Sequence, residues 1–196
     1  MSPPVTLGEP GDLRGFPSTP PPAVLVRVCR AASRTWWFSS DGSGRFDLPA
    51  PEGTCYLATD AYAAIREATR LGPVSIDWVA ARELRRTAPP DPNARLAATT
   101  RKAAGPYGIT NELVTLVPYD LPRRWAAALR AHGFDGIRHQ LRHDHRARPS
   151  GVSIFGPAGA AALDDGTRTP LTVSAVEAAG VHVHPPPTTA ELTIVT

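Results

Sequence analysis

The hydrophobic pattern of the chain changes period several times, and each change marks an element. "AVLVRVC" (23–29) is rich in β-branched residues and reads as a strand. "SSDGSGR" (39–45) reads as a loop. "TCYLA" (54–58) reads as a short buried strand, after which Thr59 or Asp60 caps a helix running to about Leu71. "VSIDW" (74–78) predicts a further strand or strand end, and "DWVAARELRR" continues it as a short helix stopped by "APPDP". Residues 95–113 read as helical with a break at "GPYG", and "LVTLV" (113–117) reads as a strand. Asp120, Pro122 and Gly133 punctuate "DLPRRWAAALRAHG" as a helix, since proline suits the first turn and glycine the residue past the end. "FDGIRH" and "GVSIF" complete a set of short strands. The elements mix without strict alternation, which predicts an α+β class, a compact mixed sheet with flanking helices.

Proline marks both ends. Residues 1–22 finish in "PSTPPP", an extended lead-in that cannot be helical. The body is expected over 23–160, followed by a C-terminal extension, 161–196, with one helix around 171–179 and a loosely attached tail. In that tail "HPPPTT" (184–189) separates a last apolar piece, "AELTIVT", from the rest.

Composition narrows the class. A chain of 196 residues with 42% hydrophobic and 20% charged content suits one globular domain with extensions. Cys29 and Cys55 sit in hydrophobic runs and are expected as buried free thiols of a reducing compartment. The N-terminal stretch lacks a basic start and a continuous apolar segment, and nothing approaches the length of a membrane span, so a cytoplasmic protein is expected. Net charge is +3, with 20 Arg to one Lys, Lys102. That bias reads as genome composition, and direct nucleic-acid binding is not expected from it. The exception is 123–148, where seven Arg and four His face two Asp. This run reads as a solvated basic loop, receptive to a phosphate or an acidic partner.

Candidate chemistry is sparse. On a wheel of about 100° per residue, Ala61, Ala64, Ile65, Ala68 and Leu71 form one stripe, with Arg66, Thr69 and Arg70 pointing away. Glu67 falls at the edge of the stripe, either snorkelling to water or looking into a cleft. Alternation puts Arg27 with Leu25 and Cys29, where a guanidinium is either at a rim or meets an anion. Arg45, after the glycine-rich loop, can serve a phosphate equally well. Tyr56 can stack on a flat heterocycle or simply fill the core, and Trp36 and Trp37 pose the same choice. His139, His143, His145 and Asp144 lack the spacing of a metal motif, so no metal is expected.

Together, "LVRV", "GRFDLP", "GTCYLATDAYAAIRE" and "GFDGIRHQ…GVSIF" resemble the RES-domain family over about residues 20–160. The resemblance implies a fold like that of ADP-ribosyltransferases and NAD+ as substrate, with no resident cofactor. It maps phosphate-binding arginines onto Arg27 and Arg45, a tyrosine near the nicotinamide ribose onto Tyr56, and the family glutamate onto Glu67. The family serine follows the "GIR" strand in a Tyr-Pro-Ser-like triplet, whereas this chain has His139, Gln140 and Leu141. Ser150 or Ser153 then substitutes for it, or His139 or Gln140 takes over its hydrogen bonds, unless the role is lost.

The activity so implied is cleavage of the nicotinamide–ribose bond by a glycohydrolase or phosphorylase, as the toxin of a toxin–antitoxin pair with an Xre-type antitoxin. A homodimer is also compatible. Protein-modifying relatives pair the glutamate with a second one two residues earlier; Ile65 stands there, which favours water or phosphate as acceptor. The rival readings are a protein ADP-ribosyltransferase and a catalytically degenerate domain that binds a nucleotide or a protein.

Overall fold

Along the described residues, 6–185 of a computed structural model, twelve strands and five α-helices follow one another. The first half holds β1 (Ser18–Thr19), β2 (Leu25–Arg30), β3 (Trp37–Phe38), β4 (Glu52–Ala58), α1 (Ala61–Thr69), β5 (Val74–Ser75), α2 (Ile76–Ala80) and β6 (Arg82–Thr87). The second holds β7 (Leu96–Ala98), a 3-10 turn (Lys102–Tyr107), α3 (Glu112–Thr115), α4 (Asp120–Ala131), β8 (Gly136–His139), β9 (Gly151–Pro157), β10 (Gly159–Ala160), β11 (Thr167–Pro170), α5 (Val173–Ala178) and β12 (Val183–His184). Eight strands form one mixed sheet in the order β1-β7-β8-β9-β4-β2-β6-β11, with β7 and β8 parallel. The α+β class expected from the sequence is the one observed.

The sheet is unevenly joined. β4 pairs with β9 over seven residues and β2 with β6 over six, but β2 and β4 share one rung, Val26 to Ala58. Past that rung the two strands diverge, and the wedge between them becomes the cleft described below.

Alternation sends side chains to two faces. On one face α4 buries Trp125, Ala126 and Leu129 against Phe46, Ile137 and Phe155. Beside it α1 and α5 pack over Val26, Ala58 and Leu84. The other face holds Leu25, Trp36, Phe38, Cys55, Leu57, Val152 and Ile154. Both cysteines are free and buried. Leu7, Leu13 and Phe16 of the N-terminal lead-in enter the α4 core, and Leu171, Val176, Val181 and Val183 of the C-terminal extension enter the α1 core. The extension is therefore packed into the body as far as it is described. The piece "AELTIVT" lies outside the described residues.

Four local expectations are corrected. "RELRRT" is not helical but forms β6, because its place between β2 and β11 offers ladder partners on both sides. The strand end and short helix expected from Val74 onward are observed before it: Ser75 ends β5 and caps α2 by accepting the Trp78 N–H. Residues 95–113 contain β7 and a 3-10 turn ended by Gly108 at φ 85°; the buried "LAA" pairs with β8, and this tertiary pairing overrides the local helical pattern. "LVTLV" is not a strand: Glu112–Thr115 makes one helical turn, which buries Leu113. The buried side of α1 is also wider than the expected stripe and includes Arg66 and Thr69, whereas Ala68 is exposed. The reason is that α1 is covered on two sides. Arg66 donates to the carbonyls of His143 and Ala179, tying together the 141–149 loop and the end of α5.

Candidate active site

A cleft of about 630 Å³ opens where β2 and β4 diverge. Its walls come from β2, the 39–46 loop, β4, α1 and the chain from His139 to His143. Five residues named from the sequence meet in it: Arg27, Arg45, Tyr56, Glu67 and His139; Gln140 lines it as well. A second hollow of about 360 Å³ shares Val114 and Gln140 with the cleft and holds Arg101, Lys102 and Arg148. It contains no carboxylate, so the chemistry points to the first.

Asp60 starts α1: its side chain accepts the Ala63 N–H, which satisfies a donor the helix leaves free. Glu67 then comes two turns along, on the cleft side. It is open to solvent through the mouth, yet the surrounding walls desolvate its carboxyl and raise its pKa above the ordinary value. Arg45, Arg70, Arg142 and the His143 N–H pull the other way, by favouring the charged form.

The "SGRFD" turn is built around a buried carboxylate that sequence reasoning did not single out. Asp47 accepts hydrogen bonds from the Tyr56 hydroxyl (2.7 Å), the Ser39 hydroxyl (2.9 Å) and the Gly44 N–H (2.9 Å). The Tyr56 hydroxyl also accepts the Phe46 N–H at 2.9 Å. Burial, reinforced by Asp47, pushes the phenol pKa far up, so Tyr56 offers the cleft its ring and not an ionisable group. Gly44 is required by close approach, because a Cβ there would fall 2.3 Å from Asp47 Oδ1 and 2.4 Å from the Tyr56 hydroxyl. Next to it, Arg45 donates to the Leu116 carbonyl at 2.6 Å and lies over the Tyr119 ring at 4.4 Å.

Arg27 reaches the cleft from the far face. Its Nη1 donates to the Thr35 carbonyl at 2.5 Å and to Cys55 Sγ at 3.2 Å, which anchors the guanidinium in the wedge. His139 is buried on the cleft floor, 5.0 Å from the Phe46 ring. Its ring packs so closely on Gly151 that a Cβ there would come within 2.3 Å. Ser153 stands behind His139, wholly buried, and does not line the cleft. Ser150 is also wholly buried, at the loop's end. Among the described residues, no group of three or more His, Cys, Asp or Glu side chains converges as a metal site, and no helix is long and apolar enough to cross a membrane.

The basic run is largely neutralised within the fold. Arg123, Arg124, Arg130, Arg146 and Arg148 all reach acidic partners. Arg138 and Arg142 have none among the described residues. Arg142 and Arg70 both line the cleft, and neither was named from the sequence as a candidate.

The fold and its cleft define an α+β domain that gathers guanidinium groups around one glutamate. The family model described as the RES domain matches residues 24–174, and the chain belongs to the RES-domain family. A chain of the crystal structure of the M. tuberculosis MbcT–MbcA toxin–antitoxin complex superposes with a TM-score of 0.63 at 14% identity, covering 85% of this chain and 93% of that one. At that identity the likeness is one of fold. No curated protein sequence matches the chain.

Proposed function

We propose that the chain cleaves the bond between nicotinamide and ribose in NAD+, as the toxin of a toxin–antitoxin pair. The observation that carries this reading is the presence of Glu67 in one cleft with Arg27 and Arg45. Membership of the RES-domain family and the likeness to a chain of a toxin–antitoxin complex support it.

The chemistry follows from the charges. Nicotinamide leaves as a neutral molecule, so a strong general acid is unnecessary. Positive charge develops on the ribose as an oxocarbenium ion, as in other glycosidic cleavages. Glu67, ionised, stabilises that charge and holds a ribose hydroxyl. Its desolvated setting strengthens the field it exerts. Arg27 and Arg45 grip the diphosphate and keep the ribose in register. The Tyr56 ring packs beside the nicotinamide, and neutral His139 closes the floor.

Water or inorganic phosphate is the acceptor in this reading. Position 65, where protein-modifying relatives carry a second glutamate, is a buried isoleucine that cannot activate a protein side chain. The partner is an antitoxin of the Xre type that covers the cleft mouth. The test is nicotinamide release from NAD+ by the purified chain beside Glu67→Gln. Release by the wild type and its loss in the variant is the expected result, and equal release by both removes Glu67 from the mechanism. Label left on a protein in place of free ADP-ribose selects the ADP-ribosyltransferase reading.

A further inference from the structure

Four arginines line the cleft, against two carboxylates, Asp41 and Glu67. Arg27 and Arg45 are held by backbone carbonyls. The guanidinium groups of Arg70 and Arg142 make no hydrogen bond or ion pair with any described residue, so a surplus of positive charge faces the cavity without a protein partner.

Both are presented by arrangements that require an account. Arg70 ends α1 at φ 51°, ψ 30°, in the left-handed region where glycine sits without strain and a side chain does not. Helices commonly end in this conformation, but usually with glycine or asparagine. Strain at a cleft-lining position is a pointer to function. Arg142 lies in the loop between β8 and β9, just past His139, Gln140 and Leu141. Leu141 and Asp144 on either side are buried at 6% and 1% exposure, whereas Arg142 itself is exposed. Arg146 joins Asp144 at 2.7 Å and Asp60 at 3.0 Å, and Arg148 also reaches Asp60, so the loop is fastened to the start of the helix that carries Glu67. Arg70 and Arg142 are close enough to act electrostatically on Glu67, and Arg142 acts on Arg45 as well.

We propose that Arg70 and Arg142 form a second phosphate-gripping pair in this cleft, so that its ligand class is a nucleoside diphosphate or its esters and not a neutral nucleoside. The proposal rests on the reading of the cleft as a nucleotide site and extends it to residues supplied by the strained helix end and by the loop. A guanidinium fork matches phosphate oxygens with two parallel charge-assisted bonds, which gives this pair a role that complementing the helix dipole does not.

The test is calorimetric binding of ADP and of adenosine to the full chain, comparing wild type with Arg70→Gly, Arg142→Gln and the double variant. Arg86→Gln, an exposed arginine of β6, controls for net charge. Each single substitution is expected to weaken ADP about tenfold, the double more, with adenosine unchanged and the Arg86 variant like wild type. ADP bound equally by wild type and the double variant overturns the pair and leaves the cleft as a nucleotide site. A wild type that binds neither ADP nor NAD+ overturns the pair and the proposed function together. If Arg70→Gly disturbs the circular dichroism spectrum, Arg142→Gln in its exposed loop decides the matter alone.

Discussion

Nε2 of His139 lies 3.1 Å from Oγ of Ser153. Nδ1 of the same ring is 3.0 Å from the carbonyl oxygen of Gln140, which can only accept, so Nδ1 carries the proton and the serine hydroxyl donates to Nε2. Both ring nitrogens are therefore committed, and the imidazole on the cleft floor is neutral. This chain thus has a histidine in the cleft wall with a serine holding it from behind.

Burial lowers the His139 pKa to about 4, against about 6.5 in an unfolded chain. The native state resists protonation, so the stability this site contributes is complete above pH 6.5 and is lost as pH falls from 6.5 towards 4. The full difference is on the order of 3 kcal/mol. Urea denaturation at pH 7 and pH 4.5 should show a smaller loss for His139→Gln than for the wild type. An identical pH slope in the two proteins contradicts a buried neutral ring.

Glu67→Gln separates charge from shape. Nicotinamide release should fall roughly 100-fold or more, the scale seen when one preorganised electrostatic group is removed. In the wild type, release should rise with pH through a midpoint above that of an ordinary glutamate, because desolvation raises the pKa. The same shift works against stability, since the native state gives up its proton less readily and loses ground as pH rises through that window. At pH 7 the glutamine variant should be as stable as the wild type or better by at most about 0.5 kcal/mol, a small figure because the group is open to solvent. Paired denaturation curves and initial rates check both halves.

Gly44→Ala should damage the site by crowding the groups that set its turn. The added methyl would meet the Asp47 carboxylate and the Tyr56 hydroxyl, whose hydrogen bond sets the turn carrying Arg45. A loss of about 1–3 kcal/mol is expected from such overpacking, together with weaker ADP binding. Thermal unfolding and calorimetry on the same sample would show either change absent if the turn yields freely.

Asp60→Ala removes the α1 cap and the anchor of Arg146 and Arg148 at once. The cap alone is worth about 1 kcal/mol, and up to about 2 kcal/mol in favourable cases. Hydrogen exchange should rise in the first turn of α1 and across 141–149 together. Faster exchange in the helix alone would mean that the loop is held by Asp144 and not by the helix.

The parts of this architecture that were legible in the sequence are those written in local pattern. The strand at 54–58, the Asp60 cap and the helix from Asp120 were readable because short-range spacing determines them, whereas local pattern left Glu67, Arg45 and Tyr56 with two readings each and only the resemblance to the RES-domain family drew them together. "RELRRT" and the "LAA" of β7 were not, because their state is decided by strands distant in sequence. Asp47 was visible only as one letter of "GRFDLP"; its role depends on Ser39 and Tyr56 folding back around it. Arg142 was counted within a basic run, and charge counting cannot tell which arginines the fold will pair. Five of the seven arginines of that run reach acidic partners, and of the other two only Arg142 lines the cleft.

The lone rung between Val26 and Ala58 joins the two slabs of the large sheet by one backbone stitch, beside the packing of α1 and the Arg27–Cys55 contact. A ligand touching Arg27 on one slab and Tyr56 on the other would act as a second stitch, lending the seam a strength the backbone withholds.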